Sequence, residues 1–357
     1  MKQTLLDAYL CRNLGDDMMV LELCEARSDV TFVAPDLPQG IGKSLAGVAN
    51  LVSSSRGGWI AEAWNSDSFV LCGGSMFIDK KGRPLSDRLR FIKRWGRRLV
   101  VAFIVRARSG SVEVIGCNVG PIQTPWGHVL FGAFLRLASR VTVRDSPSEE
   151  IVLRHTGQAP VKARDMVLSY LSRQPGRSSS ANRNELVVGI SVMTWPGLDG
   201  GETAEQYLTF INFLAEQFPG AQVKLFGFQS SIVRDDYLAT LVAREAGHRI
   251  NVSDCSYSGD VQAFLREFSS CSHILATRFH SGVLALGLGI PMVHLVYSEK
   301  ISDFLGEIGW EGSHFTTGPH LMSRQSGEIL ASLLSSSASV FLPVEAGCHA
   351  NSTSDQG

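Results

Sequence analysis

The sequence predicts an α/β protein of two doubly wound domains that face a common cleft, and three observations carry that expectation. Short apolar, β-branched runs alternate with amphipathic stretches along almost the whole chain, as expected of parallel strands buried under helices on both faces. One stretch, RQPGRSSSANRN at 173–184, concentrates Pro, Gly, Ser and Asn between two such sets, which is linker chemistry. The chain has 357 residues, more than one ordinary core organises, and roughly 100–200 residues per domain gives two. The expected domains are therefore 1–172 and 185–340, joined by the linker 173–184, with a disordered tail at 341–357 that ends in the polar run AGCHANSTSDQG.

The strands expected in the first domain are VTFVAP (30–35), SFVLCG (68–73), VEVIGC (112–117) and RVTVRD (140–145). Those of the second are ELVVGISV (185–192), VKLFGF (223–228), HILATR (273–278) and MVHLVY (292–297). Between them TAEQYLTFINFLAEQF (203–218) repeats Tyr207, Phe210, Phe213 and Leu214 at helical spacing, and DVQAFLREFSS (260–270) reads as a further helix. Sheets of this kind bind ligands beyond the carboxyl ends of their strands, so residues at strand ends carry the most functional weight.

Composition narrows the function. Hydrophobic residues make up 44% and charged residues 19%, a globular balance rather than a disordered one. A formal net charge of −1 argues against bulk attraction to nucleic acid. Seven cysteines are scattered without a CxxC pair, which reads as reduced core thiols in a cytoplasmic protein and gives no zinc spacing. The opening MKQTLLDAYLCRNLGDD has no long apolar run, so no secretory leader is expected. The chain also lacks any run of some 18 apolar residues that would span a bilayer.

The strongest candidate site lies in HILATRFHSGVLALGLGIP (273–291). An apolar strand runs into a small-residue helix, so Arg278, Phe279 and His280 fall at the junction, with Ser281 as a candidate cap. Backbone N–H groups at such a helix start favour an anion. Arg278 adds a two-pronged cation, and His280 a group that titrates near neutrality. The competing structural reading is a buried Arg–Asp pair beside a core histidine. At the next strand end, VYSEK brings Lys300 into the loop that follows MVHLVY. In the first domain RVTVRDSPSEE ends a strand with Arg144 and Asp145, followed by Ser146 as N-cap, Pro147 and Glu149 in capping-box register. Arg144 is then either half of a structural pair with Asp145 or a second cation for an anionic ligand.

Three turns complete the first domain. NLGDD (13–17) holds Asn13, Asp16 and Asp17, LCGGS (71–75) holds Gly73, Gly74 and Ser75, and CNVGP (117–121) follows a third strand. Gly73 and Gly74 permit close approach of backbone to a ligand. None of the three is a dinucleotide fingerprint or a P-loop. Finally, KKGRPLSDRLRFIKRWGRRLV (80–100) interleaves nine basic residues with Leu89, Phe91, Ile92 and Trp95. It reads either as a solvated helix face or as contact with an anionic membrane surface or a lipid-pyrophosphate-linked acceptor.

Taken in order, NLGDD, LCGGS, GCNVGP, VTVRDSPSEE and ATRFHSGVLALGLGIPMVHLVYSEKISDFLGEIGW resemble the polysaccharide pyruvyltransferases over nearly the whole chain. The C-terminal block is the most specific part, and Phe279 stands where that family commonly has Leu. The resemblance implies two Rossmann-like domains facing a cleft, a GT-B-like fold. It also implies transfer from phosphoenolpyruvate, a co-substrate, to a sugar of an exopolysaccharide or its lipid-linked repeat unit, forming a cyclic pyruvate ketal. No metal or other cofactor is implied. The donor site falls on Arg144, Arg278, Phe279 (through its backbone), His280 and Lys300. His280 is then the expected general acid/base, with Lys300 the alternative proton donor. Asp16 or Asp17 either orients the acceptor or serves as a base, the competing reading being that the two only initiate the helix that follows. The alternative is a GT-B glycosyltransferase using a nucleotide sugar. The expected location is the cytoplasm, with peripheral attachment to the inner face of the cytoplasmic membrane through 80–100 as a further possibility.

Overall fold

The computed structural model describes residues 2–54, 57–174, 185–195, 197–230, 233–247, 250–308 and 340–343. By internal contacts the chain divides into unit 1, Met1–Pro175 with Ser258–Gln262, and unit 2, Gly176–Tyr257 with Ala263–Gly357. Of the expected linker, 175–184 lies outside the described residues, as does 344–357 of the expected tail.

Unit 1 runs β1 (Lys2–Ala8), α1 (Leu14–Ala26), β2 (Val30–Ala34), α2 (Lys43–Ala46), β3 (Leu51–Ser53), α3 (Trp59–Ala63), β4 (Ser68–Cys72) and β5 (Phe77–Asp79). It continues through α4 (Leu85–Ala107), β6 (Ser111–Cys117), β7 (Val119–Ile122), α5 (Pro125–Leu137), β8 (Arg140–Val143), α6 (Ser146–Thr156), β9 (Val161–Lys162) and α7 (Met166–Arg173). Its main sheet has the order β3-β2-β1-β4-β6-β8-β9, and every ladder in it is parallel. Parallel neighbours need crossovers, which the intervening helices supply.

Unit 2 runs β10 (Val187–Val192), α8 (Gly200–Gln217), β11 (Gln222–Gly227), α9 (Asp235–Ala246), β12 (Asn251–Asp254), α10 (Val261–Ser269), β13 (His273–Ala276), α11 (Phe279–Leu288), β14 (Met292–Val296), α12 (Glu299–Glu307) and β15 (Val340–Pro343). Its parallel sheet has the order β12-β11-β10-β13-β14-β15. Counted within the unit that is 3-2-1-4-5-6, the doubly wound order. β15 takes 341–343 from the expected tail.

All eight strands expected from the sequence form. β1 is the central strand that the pattern does not reveal. Lys2, Gln3, Thr4 and Asp7 interrupt its apolar run, yet Thr4 and Asp7 are buried. Their polar groups are answered, Thr4 Oγ1 lying 2.7 Å from Ser68 Oγ and Asp7 accepting from Arg98 at 2.8 and 3.0 Å. Both cores are aromatic-rich. In unit 1 Trp95, Phe77, Phe131 and Phe134 meet with ring centroids 4.6 to 6.0 Å apart. In unit 2 Tyr207, Phe210, Phe213 and Leu214 of α8 are all buried, as their spacing predicts. Each such side chain contributes roughly 1.5–3 kcal/mol on burial. α8 begins under a capping box, Asp199 accepting from the Glu202 amide and Glu202 from the Asp199 amide, both at 2.9 Å.

The sheet orders decide where a site can form. Connections leave in opposite directions from β1 and β4 in unit 1, and from β10 and β13 in unit 2. Crevices open beyond the carboxyl ends of strands at such switch points. NLGDD follows β1 and LCGGS closes β4, while RFHS follows β13.

Candidate functional site

In unit 2, β13 ends at Ala276, and Thr277 fixes the exit by donating from Oγ1 to the Ser191 carbonyl on β10 at 2.7 Å. Arg278 is the N-cap of α11, its amide donating to Ser191 Oγ at 3.3 Å. Phe279 and His280 thus supply the first-turn N–H groups of α11, at its positive end. Ser281 does not cap these donors. Its hydroxyl turns back to the Arg278 carbonyl at 2.5 Å, so the hydroxyl proton is spent on an acceptor.

The Arg278 side chain is held by a partner the sequence did not single out. Nε and Nη2 donate to the two oxygens of Asp235, at 3.0 and 2.5 Å. The Asp235 side chain is fully buried and that of Arg278 is 21% exposed. Burial pushes the Asp235 carboxyl up, and Arg278 with the Phe228 and Gln229 amides opposes that rise. On Arg278 the carboxylate outweighs burial, so the guanidinium stays charged. Burial raises the pKa of the Tyr297 hydroxyl, and Arg278 opposes that rise. The buried Arg–Asp pair and the junction position coexist, with one edge of the cation still reaching solvent.

Phe279 does more than lend a backbone amide. Its buried ring packs on Phe304 of α12 at 5.1 Å and edge-to-face on His280 at 5.1 Å. Lys300 Nζ lies 4.3 Å from the same ring centroid, a cation–π contact. Lys300 is not in a loop. Ser298 is the N-cap of α12, which begins at Glu299, so Lys300 rides on its first turn. Arg278, His280 and Lys300 therefore gather around Phe279 at the carboxyl ends of β13 and β14.

Unit 1 brings together Asp16, Gly74 and Arg144. Asn13 caps α1, its side chain accepting from the Gly15 and Asp16 amides, so Asp16 and Asp17 are first-turn residues rather than the helix initiators. Asp16 Oδ1 accepts from the Gly74 amide at 3.4 Å. A Cβ on Gly74 would sit 3.5 Å from Arg144 Nη2 and 3.6 Å from Asp16 Oδ1, which places all three at one point. Gly73 adopts φ 148°, a value that favours glycine. The Ser75 carbonyl accepts from the Tyr9 hydroxyl at 3.5 Å. Burial raises the pKa of that hydroxyl, while Arg98 and Arg94 pull it down. Asp17 is buried inside α1.

Arg144 pairs with Asp165, the N-cap of α7, and not with its neighbour Asp145. It also donates to Asn118, whose amide group donates in turn to Asp145. Asp145 caps α6 by accepting the Ser148 amide at 2.8 Å. The expected capping box is thus out of register by one, and Ser146 bonds Lys162 instead at 2.7 Å. Asn118 and Asp165 are the site-building residues that sequence reasoning missed here. The turn CNVGP was the visible signal of Asn118, whose amide donates to the Gly74 carbonyl at 2.7 Å. The Cys117 and Cys24 thiols beside these strands are pushed by burial up to about 12, which keeps them from acting as thiolates.

A sequence model described as Polysaccharide pyruvyl transferase matches residues 13–299. The match opens on Asn13 and closes one residue before Lys300. None of the curated proteins compared matches the chain. Among solved structures, Anabaena HepE in complex with UDP and glucose is 15% identical with a TM-score of 0.50, covering 85% of this chain and 82% of its own. The S. aureus MnaA–UDP co-structure is 10% identical with a TM-score of 0.53, covering 85% and 81%. Methanocaldococcus jannaschii UDP-GlcNAc 2-epimerase, in complex with UDP-GlcNAc and UDP, is 11% identical with a TM-score of 0.51, covering 94% and 99%. At these identities the likeness is one of fold, and it places the chain in the GT-B-like α/β class.

Proposed function

The chain belongs to the polysaccharide pyruvyl transferase family, and from that premise we propose that it transfers a pyruvyl group from phosphoenolpyruvate to a sugar, forming a cyclic ketal across two hydroxyls. The acceptor is a sugar of an exopolysaccharide or of its lipid-linked repeat unit. The observation that carries this reading is the gathering of Arg278, His280 and Lys300 around Phe279 at the α11 N-terminus. Phosphoenolpyruvate bears a carboxylate and a phosphate, and such a pair calls for fixed cations and aligned N–H donors.

In the proposed reaction C3 of phosphoenolpyruvate takes a proton and C2 gains oxocarbenium character. One sugar hydroxyl oxygen bonds to C2, the C2–O bond to phosphate breaks, and the second hydroxyl oxygen bonds to C2. Of the two hydroxyl protons, one balances the proton placed on C3 and the other leaves with phosphate. His280 is assigned the proton transfers, a role worth ~10²–10⁴-fold in rate. Lys300 and the exposed edge of Arg278 hold the anionic groups. Asp235 keeps Arg278 charged and in register. In unit 1, Arg144 is assigned with Lys300 and Arg278 to the anionic donor, and Asp16, Gly74 and Asn118 beside it to the acceptor, with Asp16 orienting a hydroxyl.

The test is phosphate release from phosphoenolpyruvate in the presence of sugar diols, with the ketal identified by mass. His280→Ala is expected to lower turnover by ~10²–10⁴-fold while phosphoenolpyruvate still stabilises the protein against heat. Unchanged turnover in that variant refutes the role of His280. Thermal stabilisation by a UDP-sugar and none by phosphoenolpyruvate refutes the donor and leaves the nucleotide-sugar reading.

A further inference from the structure

The basic stretch at 80–100 resolves into two parts with different physics. The C-terminal half of α4 belongs to the core, with Trp95, Val101, Ala102 and Val105 buried. Arg98 is buried there too, paired with Asp7 and lying 4.6 Å over the Trp95 ring. Arg97 pairs with Asp36 at 3.1 Å and covers Trp59 at 4.2 Å. Both arginines anchor the helix, Arg98 within the core and Arg97 at its half-exposed edge.

The N-terminal half is different. From Leu85 to Arg94 no residue of α4 is buried. Leu85, Leu89 and Ile92 are spaced i, i+4, i+7, which puts them on one face of the helix, and they are 72%, 60% and 42% exposed. Opposite them stands Trp126, in the first turn of α5 and 67% exposed. Together they line a cavity of about 560 Å³ whose wall also includes Lys80, Lys81, Arg83 and Arg88. The groove is a built feature. Thr124 caps α5 and bonds Asp79 at the end of β5, and the Lys81 amide donates to Gln123 at 3.0 Å.

Charge names the partner. Residues 80–94 hold seven cations and one carboxylate, Asp87, in a chain whose formal net charge is −1. An apolar stripe with an interfacial tryptophan, flanked by cations on long stems, suits a surface that is apolar below and anionic above. We propose that the projecting end of α4 and the first turn of α5 form a docking surface for an anionic lipid bilayer, the cavity taking up an acyl chain beneath its phosphate. The surface belongs to unit 1, the same unit as the Asp16–Gly74–Arg144 cluster. The proposal stands apart from the pyruvyl-transfer reading, because it rests on no residue of that site.

The test is flotation of the full chain with vesicles of phosphatidylcholine alone and of phosphatidylcholine mixed with phosphatidylglycerol. The wild type is expected to bind the mixed vesicles on the order of tenfold better, with the preference lost in high salt. Lys80→Glu, Lys81→Glu and Arg88→Glu combined are expected to remove that preference. Leu85→Ser, Leu89→Ser and Trp126→Ser combined, which leave the charge unchanged, are expected to weaken binding at least tenfold with the thermal midpoint retained. Absence of wild-type binding overturns the proposal, as does equal binding by the apolar triple variant. A wild type that sediments as a dimer without binding vesicles, and becomes a monomer with Leu89→Ser, assigns the face to a second copy instead.

Discussion

Asp235→Asn tests how the candidate site is held. The substitution keeps the shape of the side chain and removes the charge that Arg278 meets through two hydrogen bonds, at 3.0 and 2.5 Å. Asp235 is fully buried and Arg278 retains 21% exposure, so water relieves the orphaned cation only in part. Breaking a buried ion pair from one side costs about 3–5 kcal/mol, and the exposed edge of Arg278 places the expected loss near the lower end, about 3 kcal/mol. A domain stabilised by roughly 5–15 kcal/mol survives that loss at room temperature. The assay is urea denaturation followed by fluorescence of Trp195, which packs against Tyr207 and Tyr297 in unit 2. A second variant separates folding from function. With Asp235→Leu and Arg278→Met together no buried charge is left unpaired, so most of the stability is expected to return while turnover does not. An Asp235→Asn protein as stable as the wild type refutes the argument, because Arg278 would then not depend on that carboxylate. A double variant with full turnover removes Arg278 from the site.

His294 is fully buried in β14, and burial lowers its pKa from 6.5 to about 4. The unfolded chain therefore binds the extra proton first, and stability is lost as pH falls from about 6.5 toward 4. Between pH 7 and pH 5 the loss is about 2 kcal/mol, and in His294→Gln this part of the pH dependence is expected to vanish; equal slopes in both proteins refute it. A Cβ on Gly282 would lie 2.3 Å from His294 Cδ2, so Gly282→Ala is expected to destabilise by roughly 1–3 kcal/mol, and an unchanged urea midpoint contradicts the packing described. Phe279→Leu removes the ring 4.3 Å from Lys300 Nζ and is expected to raise the KM for phosphoenolpyruvate several-fold, equivalent to roughly 0.5–1.5 kcal/mol, with the thermal midpoint nearly kept. Equal KM values dismiss the contact as a means of placing Lys300. Asn118→Ala strands the buried Arg144 and Asp145 groups it joins and is expected to cost about 1–3 kcal/mol, read in the urea transition of unit 1; no change argues against the bridge.

The elements with a local signature were legible. The eight strands with apolar runs, the buried stripe of α8 and the strand–helix junction at Arg278–His280 all follow from periodicity within a few residues. Elements with a polar interior were not. β1 reads as a mixed segment because Thr4 and Asp7 find their partners in Ser68 and Arg98, far along the chain. The cap of α6 fell on Asp145 rather than on the adjoining Ser146, because only the folded turn decides which oxygen meets the amide.

The sequence by itself determined the class of the protein and the identity of its candidate reactive groups, because strand and helix periods and strand-end positions are local properties. It also determined the resemblance that the match over 13–299 supports. Tertiary structure decided what holds those groups. Asp235 lies 43 residues from Arg278, and Asn118 and Asp165 lie 26 and 21 from Arg144. Asn118 and Asp165 meet Arg144 beyond the neighbouring strands β6, β8 and β9, whereas Asp235 follows β11 and reaches Arg278 from two strands away, with β10 between β11 and β13. The same sheet packing buried Arg98 and left Leu85, Leu89 and Ile92 exposed on one helix, a division that the amphipathic pattern of 80–100 leaves open because burial depends on where a helix outruns its core.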